Sequence, residues 1–319
     1  MAQPPIHEAP DRRASEGFRH AALLYAGIDE FLALAVPFLR DGAAAGDGTL
    51  AVVDASKIEA LRDALGADAA EIAFADMTRV GTNPARIIPA WRAFVDACPG
   101  RHVRGIGEPI WATRSPAEVV ECHRHEELLN VAFADAADFE LLCPYDVDEL
   151  DATVIEAAQH THPHVAHDET RDVSDGYEGL DAAAAPFAAP LPAPPEHARA
   201  MPFDVATLSA LRSVIAAWVS EVGVPEPGAD DLVIAVNELA TNSVVHGGGH
   251  GVLRFWSEPG SVICEVSDGG AIVAPLAGRV RPTDGEVGGQ GLWLCNQLCD
   301  LVQIRAFPDG GAVRLHMNR

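Results

Sequence analysis

Basic residues are scarce in this chain. Lys and Arg together number 22 against 47 Asp and Glu, a formal net charge of -25. A surface that acidic repels phosphate backbones, which argues against direct binding of DNA or RNA. Long apolar runs are missing too: no stretch of about 18 apolar residues occurs, so no transmembrane helix is expected. The opening MAQPPIHEAPDRRASEG lacks the basic-then-apolar order of a secretion signal, which predicts a cytoplasmic protein. The six cysteines are scattered without a CxxC spacing, so buried free thiols are the expectation. There is no internal repeat.

What the chain does have is a globular composition, 48% hydrophobic, over 319 residues, enough for two domains of ordinary size. The stretch DAAAAPFAAPLPAPP (181–195) is rich in Pro and Ala and cannot build a core; it reads as an extended, semi-rigid linker. The acidic run before it, from His167, reads as part of the same connection. This places an N-terminal domain at 17–165, a linker at 166–199 and a C-terminal domain at 200–319.

In the first domain, apolar strand-like runs alternate with helical patterns. Strands are predicted at His20–Tyr25, Thr49–Asp54, Glu71–Ala75, His102–Ile106 and Phe139–Cys143, with helices between them and a last one over Asp148–His160. That alternation predicts an α/β fold, a parallel sheet covered by helices on both faces. In the second domain, helices over Asp204–Val222 and Asp230–His246 precede a hairpin around Glu258-Pro259-Gly260. A long loop, a helix from Gly291 to Cys299 and two closing strands follow. Helices on one face of a mixed sheet predict an α/β two-layer sandwich.

Three motifs in this domain carry chemistry. NELATNSVVHG (237–247) puts Glu238 and Asn242 four apart, on one face of a helix. A carboxamide oxygen is a hard ligand for Mg²⁺, and a neighbouring carboxylate can polarise a hydroxyl. Asp268-Gly269-Gly270 ends a strand, where a carboxylate can accept an exocyclic amine. GGQGLWL (288–294) presents glycines at a helix start, a place that attracts phosphate. No Lys-Ser/Thr follows, so it is not a Walker loop, and no βαβ unit surrounds it, so it is not a Rossmann turn.

In this order the three motifs resemble the Bergerat-fold ATP-binding domain of the GHKL superfamily, and within it the RsbW-like anti-sigma-factor serine kinases. The resemblance covers residues 200–319. It implies Glu238 as catalytic base, Asn242 as Mg²⁺ ligand, and Asp268 and Gly270 at adenine. It also implies Gly289, Gly291 and Leu292 beside the phosphates and a lid over Ala271–Gln290. Arg279 and Arg281 in the lid could reach a γ-phosphate, though solvated arginines are the commoner case. One departure stands out: Ile272 occupies a position where the family often has glycine. His246 reads as a helix-end residue beside Gly247.

FRHAALLYAGIDEFL and FLRDGAAAGDGTLAVVD resemble the MEDS sensory domain, a relative of the RecA/KaiC ATPases, over residues 18–160. The place of their phosphate loop holds Ala26-Gly27-Ile28-Asp29-Glu30, without a glycine run or lysine, so no nucleotide is expected there. His20, Tyr25 and Glu108 are candidate sensor-pocket residues for an unknown small molecule. Glu108 follows a strand, at the sheet's carboxyl edge where open α/β proteins bind ligands. Cys122, His123, His125 and Glu126 do not converge on one helix face and are expected to be structural or solvated. The same is expected of His160, His162 and His164, apart from adventitious metal.

The combined expectation is an ATP- and Mg²⁺-binding regulator under control of the sensor domain. It would switch between a sigma factor and a STAS-type antagonist as a protein serine kinase. The alternatives are a non-catalytic ATP-binding module and a histidine-kinase-like ATPase. For the last, His125-Glu126 imitates the start of a phosphoacceptor motif but lies far upstream. Homodimerisation is compatible with the resemblance.

Overall fold

The computed structural model describes residues 17–136, 138–167, 170–180, 189–282 and 289–319. The first sheet has seven strands: β1 (Phe18–Tyr25), β2 (Gly48–Val53), β3 (Ala73–Asp76), β4 (Val103–Gly107), β5 (Phe139–Asp146), β6 (His164–His167) and β7 (Thr170–Val173). Their order is β3-β2-β4-β5-β1-β6-β7, parallel except for the β6–β7 pair. Every residue of β2 and β5 is buried, as expected for strands covered on both faces.

Alternation divides β1 between two cores. Ala22 and Leu24 pack with Trp91, Leu128, Leu129 and Ala158, on the side of α4 (Ile87–Asp96), α5 (Pro116–Ala132) and α6 (Ala152–Thr161). Ala21, Leu23 and Tyr25 pack with Phe31, Leu39 and Leu61, on the side of α1 (Gly27–Ala45) and α2 (Ala55–Leu65). A short helix, α3 (Met77–Val80), follows β3. Local chemistry fixes the helix starts. Asp54 accepts the amides of Ser56 and Lys57 to cap α2, and Ser115 with Glu118 forms a capping box around Pro116 on α5.

The second sheet has five strands: β8 (Arg199–Asp204), β9 (His250–Glu258), β10 (Ser261–Asp268), β11 (Leu301–Phe307) and β12 (Gly310–Asn318). Their order is β11-β12-β10-β9-β8. Packed against them are α7 (Leu208–Glu221), α8 (Gly228–His246) and α9 (Gln290–Leu298), around Leu211, Ile215, Leu232, Val236, Phe255 and Leu315. The expected mixed sheet is corrected: every pair in it is antiparallel. The added strand β8 escapes a sequence reading because only Phe203 of RAMPFD is buried and Pro202 interrupts the run. β6 and β7, across the expected boundary between first domain and linker, are four-residue strands that extend the first sheet, with β7 at its edge. No helix among the described residues is long and apolar enough to cross a membrane.

Candidate functional site

Between α8, the end of β10 and the start of α9 lies a cavity of about 360 Å³. Its walls include Leu239, Val266, Ile272 and Val313, and Asn242, Asp268, Gly270, Gly289 and Leu292 also line it. Asp268 is held from two sides. Ser243 donates to its Oδ2, and the Gly270 amide donates to Oδ1 at 2.7 Å. Gly247 makes the space: a Cβ there would lie 2.5 Å from the Asp268 carboxylate carbon. Gly291 stands outside the lining set, yet its Cβ would meet Asn242 Nδ2 at 2.5 Å, so its bareness lets α9 close on α8. Gly289 caps α9 with φ 80°, a left-handed conformation suited to glycine. The first amides of α9 therefore open beside the cavity, where a helix N-terminus favours an anion.

Glu238, one turn before Asn242, is half-buried and is not on the cavity wall. His246 and Gly247 are on it. Ser243 and Gly247 were missed as functional residues. Their signal was adjacency to Asn242 within NELATNSVVHG, but their partner Asp268 is a strand away.

The segment after Gly270, the expected lid, leaves this cavity and meets the other domain. Ile272 packs on the second core, which roots the lid where a glycine would leave it loose. Leu276 packs on the α4–α5 side of the first domain. Arg279, 3% exposed, reaches Glu121 of α5 with Nη2 3.4 Å from Oε2; Arg281 is exposed. Arg305, on edge strand β11, meets the same carboxylate at 2.9 Å. Arg124 lies near this cluster, where burial pushes it down to about 10, with Glu121 acting in the opposite direction.

Asn296 is the second contact. It donates to Gly278 O of the lid at 2.8 Å and accepts from Asn83 Nδ2 at 3.2 Å. Arg86 donates to the carbonyls of Asn296, Gln297 and Cys299 at 2.7, 2.8 and 2.9 Å, satisfying the otherwise orphaned end of α9. The first domain therefore grips both the lid and the far end of the glycine-started helix. Residues 283–288 of the expected lid, including Gly288, lie outside the described residues.

The sequence comparisons agree with this geometry. Residues 19–163 match the MEthanogen/methylotroph, DcmR Sensory domain (MEDS), and residues 201–317 match the Histidine kinase-like ATPase domain. The chain is a MEDS domain fused to a histidine-kinase-like ATPase domain. Among solved structures, the RsbU and RsbW domains of a Mycobacterium tuberculosis protein match at 20% identity and a TM-score of 0.30. That match covers 39% of this chain and 33% of the other, so the chain spans about a third of its length. The comparison with curated proteins gave no match.

In the MEDS domain the structure separates the candidate pocket residues. Tyr25 and Glu108 come together at the carboxyl edge of the sheet, the Tyr25 hydroxyl donating to Glu108 at 2.6 Å. Lys57, the only lysine in the sequence, closes the cluster 2.9 Å from Glu108 Oε2. Burial pushes Glu108 above its usual range, countered by Lys57 and Tyr25. Burial, and then Glu108, push Tyr25 up. His20 is elsewhere, on the opposite face of β1, among Glu126, Asn130, Cys143 and His162.

At the first strand-to-helix turn, the Ala26 and Gly27 amides are taken by the carboxylates of Glu30 and Asp146, at 2.7 and 3.4 Å. The helical set Cys122, His123, His125 and Glu126 does not converge. Cys122 donates to Pro109 O at 3.3 Å, and burial pushes its thiol up to about 12. His125 is buried, 1% exposed. All six cysteines are buried and unpaired.

Proposed function

We propose that residues 200–319 bind Mg·ATP and act as an anti-sigma-factor-type serine kinase, with the MEDS domain as the sensor that controls it. The observation that carries the reading is Asp268, an oriented carboxylate in a mostly apolar cavity, with glycines at the positions where side chains would fill the cradle. That arrangement suits a flat, amine-bearing base. Asn242 and Glu238, a turn apart, offer the hard oxygen donors that a hydrated Mg²⁺ takes, and Asn242 would hold it. Bound magnesium would supply neutralisation of phosphate charge.

The chain's own residues would then divide the remaining work. Asp268 and Gly270 position the base. Gly289, Gly291 and Leu292 bring the α9 amides to the phosphates. Glu238 accepts the proton of a serine hydroxyl on a STAS-type antagonist as its oxygen bonds to the γ-phosphorus, the bond to the β-γ bridging oxygen breaks, and ADP leaves. A sigma factor would compete for the same domain. Sensor state would act through the lid, because Arg279 ties it to α5 and Leu276 packs on the core of the first domain.

Calorimetry of the full chain with Mg·ATP tests the shared premise; binding should weaken at least about tenfold in Asp268→Asn. Labelled phosphate on an added STAS-domain protein, lost in Glu238→Ala, tests transfer. The position of Glu238 off the cavity wall favours one second reading, a non-catalytic ATP-binding module. ATP binding without transfer would select it. The burial of His125 speaks against a phosphohistidine route.

A further inference from the structure

We propose that His20, Glu126, Cys143 and His162 form a closed site for a borderline divalent transition metal, zinc above all, inside the MEDS domain. The four side chains come from β1, α5, β5 and the residue after α6. Their donor atoms all lie within 4.8 Å of one another, and all four residues are buried. Glu126 Oε2 is 3.0 Å from His20 Nε2, 3.3 Å from Cys143 Sγ and 3.4 Å from His162 Nε2; His20 Nε2 is 3.3 Å from Cys143 Sγ. Tetrahedral zinc with bonds of about 2.0–2.3 Å sets ligand atoms roughly 3.3–3.6 Å apart. The cluster has nearly that spacing already.

The hydrogen-bond pattern gives the second reason. His162 Nδ1 faces the Ala158 carbonyl at 2.8 Å and must be its donor. His20 Nδ1 faces Asn130 Oδ1 at 3.0 Å, and the Asn130 amide hydrogens go to the Thr161 and Glu126 carbonyls, so His20 Nδ1 is a donor as well. With Nδ1 as the donor, each ring in its neutral form turns an Nε2 lone pair inward, towards a carboxylate. Only the Cys143 thiol brings a proton to this set of acceptors. Glu126 Oε1 and His162 Nε2 have no hydrogen-bond partner.

A cation resolves the surplus of lone pairs. Orientation of a ligating imidazole by a carbonyl on its other nitrogen is also how metal sites fix their histidines. On binding, the Cys143 thiol loses its proton to solvent and the sulfur bonds the metal. Two negative ligands then balance a divalent charge, and no buried net charge is left.

Four protein ligands leave no open position, so the site would brace the domain and perform no hydrolysis. It would pin α5, the helix that also carries Glu121 to the ATPase domain.

The test uses the full chain, purified without chelators. Elemental analysis should find about one zinc per chain. After stripping and reloading with Co²⁺, the wild-type spectrum should show tetrahedral d–d bands and a thiolate-to-cobalt charge-transfer band. Cys143→Ser should lose the latter while keeping the far-ultraviolet circular dichroism. Substitution of a buried ligand can unfold a domain, so the wild-type cobalt spectrum decides alone. No stoichiometric metal before or after reloading would overturn the proposal. Cobalt bound without a sulfur band, as at the more exposed His160 and His164, would overturn it too.

Discussion

Arg279 of the lid lies 3.4 Å from Glu121 of the sensor helix, in an interface that leaves each residue 3% exposed or less. Arg305 brings a second guanidinium to the same carboxylate. A buried charge of this kind is costly to strand, so Glu121 holds the lid through the penalty of its own loss.

Glu121→Gln should therefore release the lid. Two guanidiniums would lose their counter-charge, at a cost of about 3 kcal/mol. Hydrogen exchange over 271–282 should accelerate by at least about tenfold, since 1.4 kcal/mol is already a factor of ten. Unchanged protection would disconnect the sensor helix from the lid.

Asn83→Ala combined with Arg86→Ala strips the end of α9 of its side-chain partners. Charge-assisted bonds of this type contribute about 1.5–3 kcal/mol each. The ATPase domain should melt at a lower temperature, in addition to any loss in the MEDS domain, where Asn83 also accepts the Ala85 amide at 3.0 Å. An unchanged ATPase midpoint with a lowered MEDS midpoint would mean that these residues support only the sensor domain.

Ser243→Ala leaves the fold of α8 intact but frees one side of Asp268. Affinity for Mg·ATP should fall about tenfold, one hydrogen bond to a charged group. Gly247→Ala should do more, because its methyl would meet the carboxylate at 2.5 Å. Wild-type affinity in both variants would remove Asp268 from the nucleotide site.

His316 ties the stability of the ATPase domain to pH. Burial, then Arg314, depress it from 6.5 to about 4, and its Nε2 lies 3.1 Å from Gln303 Oε1. The unfolded chain takes up the proton first as pH falls, so this contribution is whole above 6.5 and lost between 6.5 and 4. With its partial exposure discounted, the loss by pH 5 is about 1 kcal/mol. Urea denaturation at pH 7 and 5 should show His316→Gln less acid-sensitive than wild type by that amount; equal slopes would refute the assignment.

The strongly periodic parts of the chain were legible. Leu232, Val236 and Leu239 marked the buried face of α8, and the all-apolar β2 announced a strand covered on both sides. NELATNSVVHG and Asp268-Gly269-Gly270 pointed to surfaces that line one cavity. What escaped was convergence. Cys122, His123 and His125 look like companions of Glu126 because they are near in sequence. Its actual neighbours arrive from β1, β5 and the end of α6, and strand order is invisible to local spacing. Arg279 escaped for the same reason: solvent or phosphate were the readings open to it until Glu121 was seen beside it.

The central place of β1 bears on how the chain is made. Phe18 pairs with Phe139, and Ala21 with His164, so this early strand of the MEDS domain, once synthesised, waits for some of the last parts of that domain. Until then FRHAALLY is an apolar segment without neighbours, and contacts this distant in sequence form slowly. A nascent chain stalled before β5 would offer that segment to chaperones or to another copy, which makes completion of the sensor domain the vulnerable interval in the protein's synthesis.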